Sequence, residues 1–325
     1  MKICILGAGS YGTALAKVFT HKGHDVMLYC RDKTQSDCIN THHYNPSRFP
    51  NVILSANITA TTLIQEATRE CDLIFHCIPT QKTIDFITRH RHTIPSDIPY
   101  ISTCKGIALS TNAFMYDAIP QSFDDDRTVL YLSGPTFAKD MISDGPVSAV
   151  LAGKDIRKCA YVKDIICSDK LRIQTTTDVK GVCIGGALKN PIAILTGVVR
   201  GMGFSQSVIA SVVTKGFKDI MKMAESLGGC EYDTLHGLSG IGDLMLTCYS
   251  SLSRNTRFGE RIGRGECIQS ILDDLGEVVE GGATCKEVVT LASKYGLILP
   301  TFNAVHEILN KHNCVKESLY TLLNS

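Results

Sequence analysis

The chain has 325 residues, which is long enough for two domains that each bury a hydrophobic core. Lysine and arginine total 33 against 32 aspartates and glutamates, so the net charge of +1 gives no electrostatic reason to expect a nucleic acid or an anionic membrane as partner. We find no apolar run of bilayer-spanning length and no signal-peptide pattern at the start. We therefore expect a protein with no membrane span that stays where it is made.

The first half of the chain alternates strand-like and helix-like segments. An apolar run at residues 2–6 meets Gly7, apolar residues then recur at helical spacing over residues 10–21, and residues 25–30 are typical of a second strand. Further strands are predicted at 72–78, 100–103 and 129–132. This alternation predicts an α/β Rossmann-type domain, a doubly wound parallel sheet, over residues 1–179.

Past about residue 180 the pattern becomes helical, with few strand signals. Apolar residues recur at helical spacing over 182–199, 207–227 and 280–295. We therefore predict a mainly α-helical C-terminal domain over residues 180–325 that binds substrate and carries the catalytic groups, after a dinucleotide-binding domain over residues 1–179.

Three glycines open the first helix. Gly7, Gly9 and Gly12 form G-x-G-x-x-G directly after the first strand, where glycines permit a tight turn and the close approach of a pyrophosphate to the helix N-terminus. The alternative is a turn without a ligand.

Arg31 stands just before Asp32 at the end of the second strand, where an acid would usually bind the ribose of NAD. This order slightly favours NADP(H) over NAD(H).

Two lysines are candidates for proton transfer from a hydroxyl group, since burial or a nearby cation can lower the pKa of an amine. Lys189 lies in a segment of small and apolar residues, and Lys105 follows the strand that ends near Thr103. The alternatives are a snorkelling surface lysine and a solvated turn residue. Asp243, in a glycine-rich turn, offers one carboxylate.

A cluster at Ser253, Arg254 and Asn255 supplies a hydroxyl, a guanidinium and an amide within three positions. It would suit a phosphate, although short polar runs of this kind are often plain turns.

The 14 cysteines include no C-x-x-C pair, and the histidine pairs lack a third ligand at a recognisable spacing. We expect free thiols and no metal site.

Taken together, these segments resemble the bacterial-type NAD(P)-dependent glycerol-3-phosphate dehydrogenases over nearly the whole chain. The matching motifs are GAGSYGTALA at 7–16, CKG at 104–106, SGPTFA at 133–138, GGALKN at 185–190, GLSGIGDLMLTC at 237–248, SRNTRFGERIG at 253–263 and EVVEG at 277–281. The resemblance implies a Rossmann domain followed by a helical domain, a homodimer, a cytoplasmic location and a supply of glycerol 3-phosphate for phospholipid synthesis.

The resemblance also assigns roles to individual residues. It implies that Lys189 is the proton acceptor and that Lys105, Asp243 and Thr247 complete the catalytic group. The implied substrate contacts are Lys105, Gly134, Thr136, Lys189, Asn190, Asp243, Ser253, Arg254 and Asn255. The cofactor contacts are Gly7, Gly9, Ser10, Tyr11, Gly12, Arg31, Lys105, Ala138, Arg254, Val278 and Glu280.

Two positions depart from the family pattern. Tyr11 replaces the usual Trp or Phe, and Gly282 stands where the family usually has an arginine, which affects a contact near the cofactor diphosphate or ribose.

Two other functions stay open. One is a related dehydrogenase of small hydroxy acids, whose substrate carboxylate the cluster at Ser253, Arg254 and Asn255 could bind. The other is a cofactor-sensing regulator. A regulator would have no need for Lys189, Lys105 and Asp243 together.

Overall fold

The structure is a computed structural model that describes residues 1–275, 279–310 and 315–324. It divides into two compact units. The first unit comprises Met1–Lys105 and Met115–Val179, and the second comprises Gly106–Phe114 and Lys180–Ser325. The sequence prediction placed Gly106–Phe114 in the first domain, whereas the structure groups this segment with the second unit.

The described chain consists of strands in its first half and helices throughout. The strands are β1 (Lys2–Leu6), β2 (Asp25–Tyr29), β3 (Ile58–Thr61), β4 (Leu73–His76), β5 (Tyr100–Ser102), β6 (Ile107–Ala108), β7 (Ala113–Phe114), β8 (Val129–Ser133), β9 (Val147–Ala152) and β10 (Leu171–Thr176). The helices are α1 (Ser10–His21), α2 (Lys33–His42), α3 (Ile64–Thr68), α4 (Thr80–His90), α5 (Met115–Gln121), α6 (Ala138–Ile142), α7 (Ile156–Ile166), α8 (Val179–Gly201), α9 (Gln206–Ser226), α10 (Tyr232–His236), a π-helix (Leu238–Gly242), α11 (Asp243–Tyr249), α12 (Arg254–Gly263), α13 (Ile268–Leu275), α14 (Glu280–Lys294), α15 (Pro300–Asn310) and α16 (Val315–Asn324).

The first unit is built on one eight-stranded sheet in the order β10-β9-β8-β5-β4-β1-β2-β3. Neighbouring strands are parallel except β8 and β9, which pair antiparallel. The predicted Rossmann-type α/β fold is confirmed, with one antiparallel pair added. The chain leaves β1 towards β2 and β3 and then crosses to β4 on the other side. Such a switch point is where open α/β sheets bind ligands, at the carboxyl ends of the strands.

Strands β3, β9 and β10 were not among the predicted strands. β3 is only four residues long and so gives a weak local signal. β10 alternates buried and exposed residues at its start, a pattern typical of a half-buried strand, so it could have been predicted. Both lie at the edges of the sheet. Their place in the fold is set by pairing with β9 and β2, which are distant in sequence.

The second unit is mainly helical, and β6 and β7 form a separate antiparallel hairpin in it. Two of its helices, α8 and α12, approach each other backbone to backbone. A Cβ atom built on Gly197 of α8 would lie 2.1 Å from the carbonyl oxygen of Thr256, and one built on Gly259 of α12 would lie 1.9 Å from that of Ile194. Gly201 and Gly263 repeat the contact one turn later. The glycines therefore let the two helix backbones touch.

Helix α8 corrects one expectation from the sequence. It has 23 residues and is long and apolar enough to cross a bilayer by length and composition alone, whereas no such run was expected from the sequence. Its apolar window is entirely buried inside the structure. A core helix of a soluble protein passes the same test, because a helix buried on all sides is apolar all round.

We predict that Gly197→Ala destabilises the protein by about 1–3 kcal/mol, since the added Cβ would clash with backbone atoms that no rotamer change can move. Urea unfolding of the purified variant measures the change. Gly282→Ala is the matched control. Gly282 also lies in a helix, but its Cβ would meet only the Leu309 side chain at 3.6 Å, so we expect equal or higher stability. Equal stability of the two variants would contradict the proposed contact between α8 and α12.

Candidate functional site

The glycine turn of the first unit joins β1 to α1. Gly7 has a φ of +115°, and a Cβ at Gly12 would lie 2.1 Å from the Gly7 carbonyl oxygen. Gly9 is the N-cap of α1, and a Cβ there would meet no atom of the described chain within 4 Å. Ser10 and Tyr11 begin the helix and carry no negative charge. The turn therefore offers open space and backbone N–H groups at a helix N-terminus whose first turn carries no acidic side chain. Such a site fits the pyrophosphate of a dinucleotide.

Arg31 and Asp32 follow β2 and have different surroundings. Asp32 is the N-cap of α2, and its carboxylate accepts a hydrogen bond of 2.8 Å from the backbone N–H of Thr34. Arg31 is exposed. Both side chains are exposed, and one carboxylate oxygen of Asp32 caps the helix.

Lys105 follows β5 and is half-buried. Its Nζ donates to the carbonyl oxygen of Gly134 at 3.1 Å. The hydroxyl oxygen of Thr136, in the same loop after β8, lies 3.0 Å from that of Tyr11. Ala138 is the first residue of α6, which follows this loop. The structure therefore brings together several predicted residues of the first unit at the carboxyl edge of its sheet.

The loop that carries Lys105 is fixed to the end of β4. The carbonyl oxygen of His76 accepts hydrogen bonds from both the N–H and the hydroxyl of Thr103, at 3.0 and 2.9 Å. The Thr80 hydroxyl donates to the carbonyl oxygen of Lys105 at 3.2 Å. These bonds hold the backbone of the lysine in place.

The imidazole of His76 lies behind this loop and is fully buried. Its Nδ1 lies 2.6 Å from the hydroxyl of Tyr100, and its Nε2 lies 3.0 Å from that of Thr83. Thr83 in turn contacts the Cys104 thiol at 3.2 Å. Burial lowers the pKa of His76 to about 3 and raises that of Tyr100, so the histidine is neutral at physiological pH.

The second unit holds a buried ion pair. Lys189 on α8 and Asp243 on α11 are about 5% and 1% exposed, and their Nζ and Oδ1 atoms are 2.5 Å apart. Lys189 also donates to the Thr247 hydroxyl at 2.8 Å, and that hydroxyl donates to the Asp243 carbonyl oxygen at 2.6 Å. The Thr247 hydroxyl thus accepts a hydrogen bond from the lysine and donates its own to the backbone. Asn190, next to Lys189, is buried as well.

The π-helix positions Asp243, which directly follows it. A Cβ at Gly185 of α8 would lie 2.7 Å from the Ser239 carbonyl oxygen in the π-helix. Gly185 therefore lets the π-helix approach α8 just before Lys189. π-helical turns are rare and occur frequently at functional sites.

The predicted phosphate cluster lies at the N-terminus of α12. The side chain of Ser253 is the N-cap and accepts from Thr256 N–H at 3.2 Å. Arg254 is exposed in the first turn. The buried Asn255 accepts with its Oδ1 from the N–H of Gly281 at 3.0 Å, which directs its amide NH₂ elsewhere.

Two predicted cofactor contacts lie near the start of α14. Glu280 is the first residue of this helix and is half-buried. Val278 lies outside the described residues.

In the ranges that the structure describes, no group of three or more His, Cys, Asp and Glu side chains could hold a metal ion.

Comparison with known proteins decides the family. A family model for the N-terminus of NAD-dependent glycerol-3-phosphate dehydrogenase matches residues 2–159, and one for the C-terminus matches residues 178–320. The chain belongs to the NAD-dependent glycerol-3-phosphate dehydrogenase family.

Members of this family from plants and bacteria resemble the chain over its length. It is 36% identical to the chloroplastic glycerol-3-phosphate dehydrogenase [NAD(+)] 2 of Arabidopsis thaliana, over 99% of this chain and 77% of the relative. It is 34% identical to the glycerol-3-phosphate dehydrogenase [NAD(P)+] of Staphylococcus haemolyticus, over 99% and 97%. The solved structure of glycerol-3-phosphate dehydrogenase from Coxiella burnetii has a TM-score of 0.94 and 27% identity, covering 100% and 99% of the two chains. The resemblance stated from the sequence is confirmed.

The residues that support these groups were not predicted from the sequence. The paired glycines of α8 and α12 have a visible signal, because each pair is four residues apart and so lies on one helix face. His76 and its partners have none, since a histidine at the end of an apolar strand has many possible roles.

We predict that His76 makes the protein less stable in acid. The unfolded state binds a proton to this histidine below about pH 6.5, whereas the folded state does so only near pH 3. Its contribution to stability is therefore complete above pH 6.5 and falls by about 1.4 kcal/mol per pH unit below it. Unfolding free energies at pH 4 to 7 should show a shallower slope for His76→Gln than for the wild type. Equal slopes for His76→Gln and the wild type would contradict this effect of the buried histidine.

Proposed function

We propose that the chain is an oxidoreductase that interconverts sn-glycerol 3-phosphate and dihydroxyacetone phosphate with NAD(P)(H), and that it supplies glycerol 3-phosphate for phospholipid synthesis. A nicotinamide cofactor, when bound, would supply or accept the hydride in this reaction. The names of the relatives support the reaction, and the buried Lys189–Asp243–Thr247 group is the observation that carries it.

Lys189 is proposed to donate the proton to the carbonyl oxygen of the substrate and to take it back in the reverse direction. An ammonium in an otherwise apolar helix needs a partner, and Asp243 supplies one. Thr247 fixes the direction of the amine through its own bond to the helix backbone. Such a positioned group suits general acid–base catalysis.

Arg254 and Asn255 are proposed to bind the substrate phosphate at the N-terminus of α12. An arginine can bind phosphate oxygens through two parallel hydrogen bonds, and helix N-termini attract anions. Because Asn255 accepts from Gly281 with its oxygen, its amide NH₂ is the end that would meet an anion. Ser253, by contrast, supports the site by capping the helix. Binding energy from this non-reacting phosphate would orient the carbonyl.

The first unit is proposed to bind the dinucleotide at the glycine turn, with Lys105, Gly134, Thr136 and Ala138 nearby. The exposed Arg31 can pair with a 2′-phosphate, and one carboxylate oxygen of Asp32 accepts the helix-capping hydrogen bond. These two features favour NADP(H) over NAD(H). A cytoplasmic location and a homodimer are further proposals that rest on the family.

We predict phosphate-dependent reduction of dihydroxyacetone phosphate. Initial rates of NADPH and NADH oxidation at 340 nm measure it, with unphosphorylated dihydroxyacetone and a small keto acid as comparison substrates. We expect turnover with dihydroxyacetone phosphate, at most a trace with dihydroxyacetone, and faster oxidation of NADPH. Activity on the keto acid alone would instead assign the chain to the hydroxy-acid dehydrogenases.

We predict that Lys189→Met lowers kcat by about 10² to 10⁴-fold, the usual range for loss of a general acid or base. Removing the lysine also removes the buried cation that faces Asp243. Thr247→Val, which keeps the ion pair, is therefore measured beside it and should give a smaller loss. NADPH binding, followed by its fluorescence, should persist in both variants. Lys218→Met, at an exposed lysine of α9, is the control. Normal turnover by Lys189→Met would exclude the proposed role.

A further inference from the structure

Asn45, which follows α2, is a buried residue that neither the motifs nor the resemblance singles out. Its Nδ2 donates to the carbonyl oxygen of Ala8 at 3.0 Å and to the hydroxyl of Thr13 at 2.8 Å. The Nε2 of Gln35, on the first turn of α2, donates to the same Ala8 oxygen and to Asn45 Oδ1, both at 2.9 Å. Two side-chain amides thus hold the middle of the glycine turn.

The bond to Ala8 determines where the next backbone donor points. The peptide bond that joins Ala8 to Gly9 is trans, so its C=O and N–H point in opposite directions. With the Ala8 oxygen directed to the buried Asn45, the N–H of Gly9 faces the other way. Gly9 is also the N-cap of α1, where backbone donors lack helical partners and serve as anion ligands.

The second Nδ2 contact adds the first turn of α1 to the same group. Thr13 is fully buried, and its N–H donates to the Gly9 carbonyl oxygen at 3.0 Å, which is an early hydrogen bond of the helix. Asn45 therefore joins the turn and the helix start through one side chain. Neither a leucine nor an alanine could replace these two donated bonds.

We infer that Asn45, assisted by Gln35, is a positioning residue that directs the Gly9 N–H at the pyrophosphate of the dinucleotide. The inference rests on the proposed function, because it assumes that the turn binds NAD(P)(H). Asn45 does not need to touch the cofactor. Its effect should therefore be confined to ligands that carry a phosphate at the glycine turn.

The test compares Asn45→Leu with the wild type in NADPH binding, measured by fluorescence, and in the binding of adenosine 2′-phosphate, measured by displacement of NADPH. Leucine has a similar size and adds no charge that could itself repel a phosphate. We expect the Kd for NADPH to rise about tenfold, as for loss of one well-oriented hydrogen bond to a charged group, with kcat at saturating NADPH within twofold of the wild type. Adenosine 2′-phosphate, which lacks the pyrophosphate, should bind within twofold of the wild type.

Asn40→Leu is the matched control, because the Asn40 side-chain amide also makes two hydrogen bonds, with the backbone of Ala60 in β3. It should leave the Kd for NADPH at the wild-type value. A wild-type Kd for NADPH in Asn45→Leu, or an equal loss for adenosine 2′-phosphate, would overturn the inference. If Asn45→Leu fails to fold, Gln35→Leu is the deciding variant, because Gln35 is only half-buried. This substitution should raise the Kd for NADPH about threefold. Failure of the wild type to bind NADPH or NADH would instead refute the proposed function.

Discussion

The second unit depends on one constraint, the burial of a positive charge inside an apolar helix. Lys189 lies in α8, whose neighbouring residues are buried on all sides. An unpaired ammonium there would be destabilising by several kcal/mol, so another element must bring an opposite charge to it. Asp243 is that charge. Thr247, one turn further along α11, adds a second contact from the same helix face.

Close packing of backbones makes this pairing possible. Gly185 lets the π-helix approach α8, and Gly197 and Gly259 let α12 lie against it. Arg200 at the end of α8 donates to the last carbonyl groups of α11, where a positive charge suits the negative end of the helix dipole. The glycines and this arginine take no part in the proposed proton transfer, yet they determine where the buried ion pair can form.

The parts that the sequence predicted are those with local causes. The strand, glycine turn and helix at the N-terminus follow from the spacing of apolar residues and glycines within about 20 positions. The pairing of Lys189 with Asp243 and Thr247 joins residues more than 50 positions apart, so no spacing rule could supply it, and only the family resemblance brought the three together. The antiparallel pairing of β8 with β9 and the neutral His76 depend likewise on tertiary contacts.

The start of α2 shows how a side chain at a predicted ligand position can also have a local structural role. An acid after the second strand usually marks a ribose contact, but Asp32 is the N-cap of α2, so its carboxylate already accepts a backbone N–H. Arg31 beside it stays exposed, while Gln35 in the same helix turn reaches the Ala8 carbonyl oxygen of the glycine turn. A single helix N-terminus therefore supports both the residue proposed to contact the ribose phosphate and the turn proposed to bind the pyrophosphate. The position of α2 would thus couple the two halves of the proposed dinucleotide site.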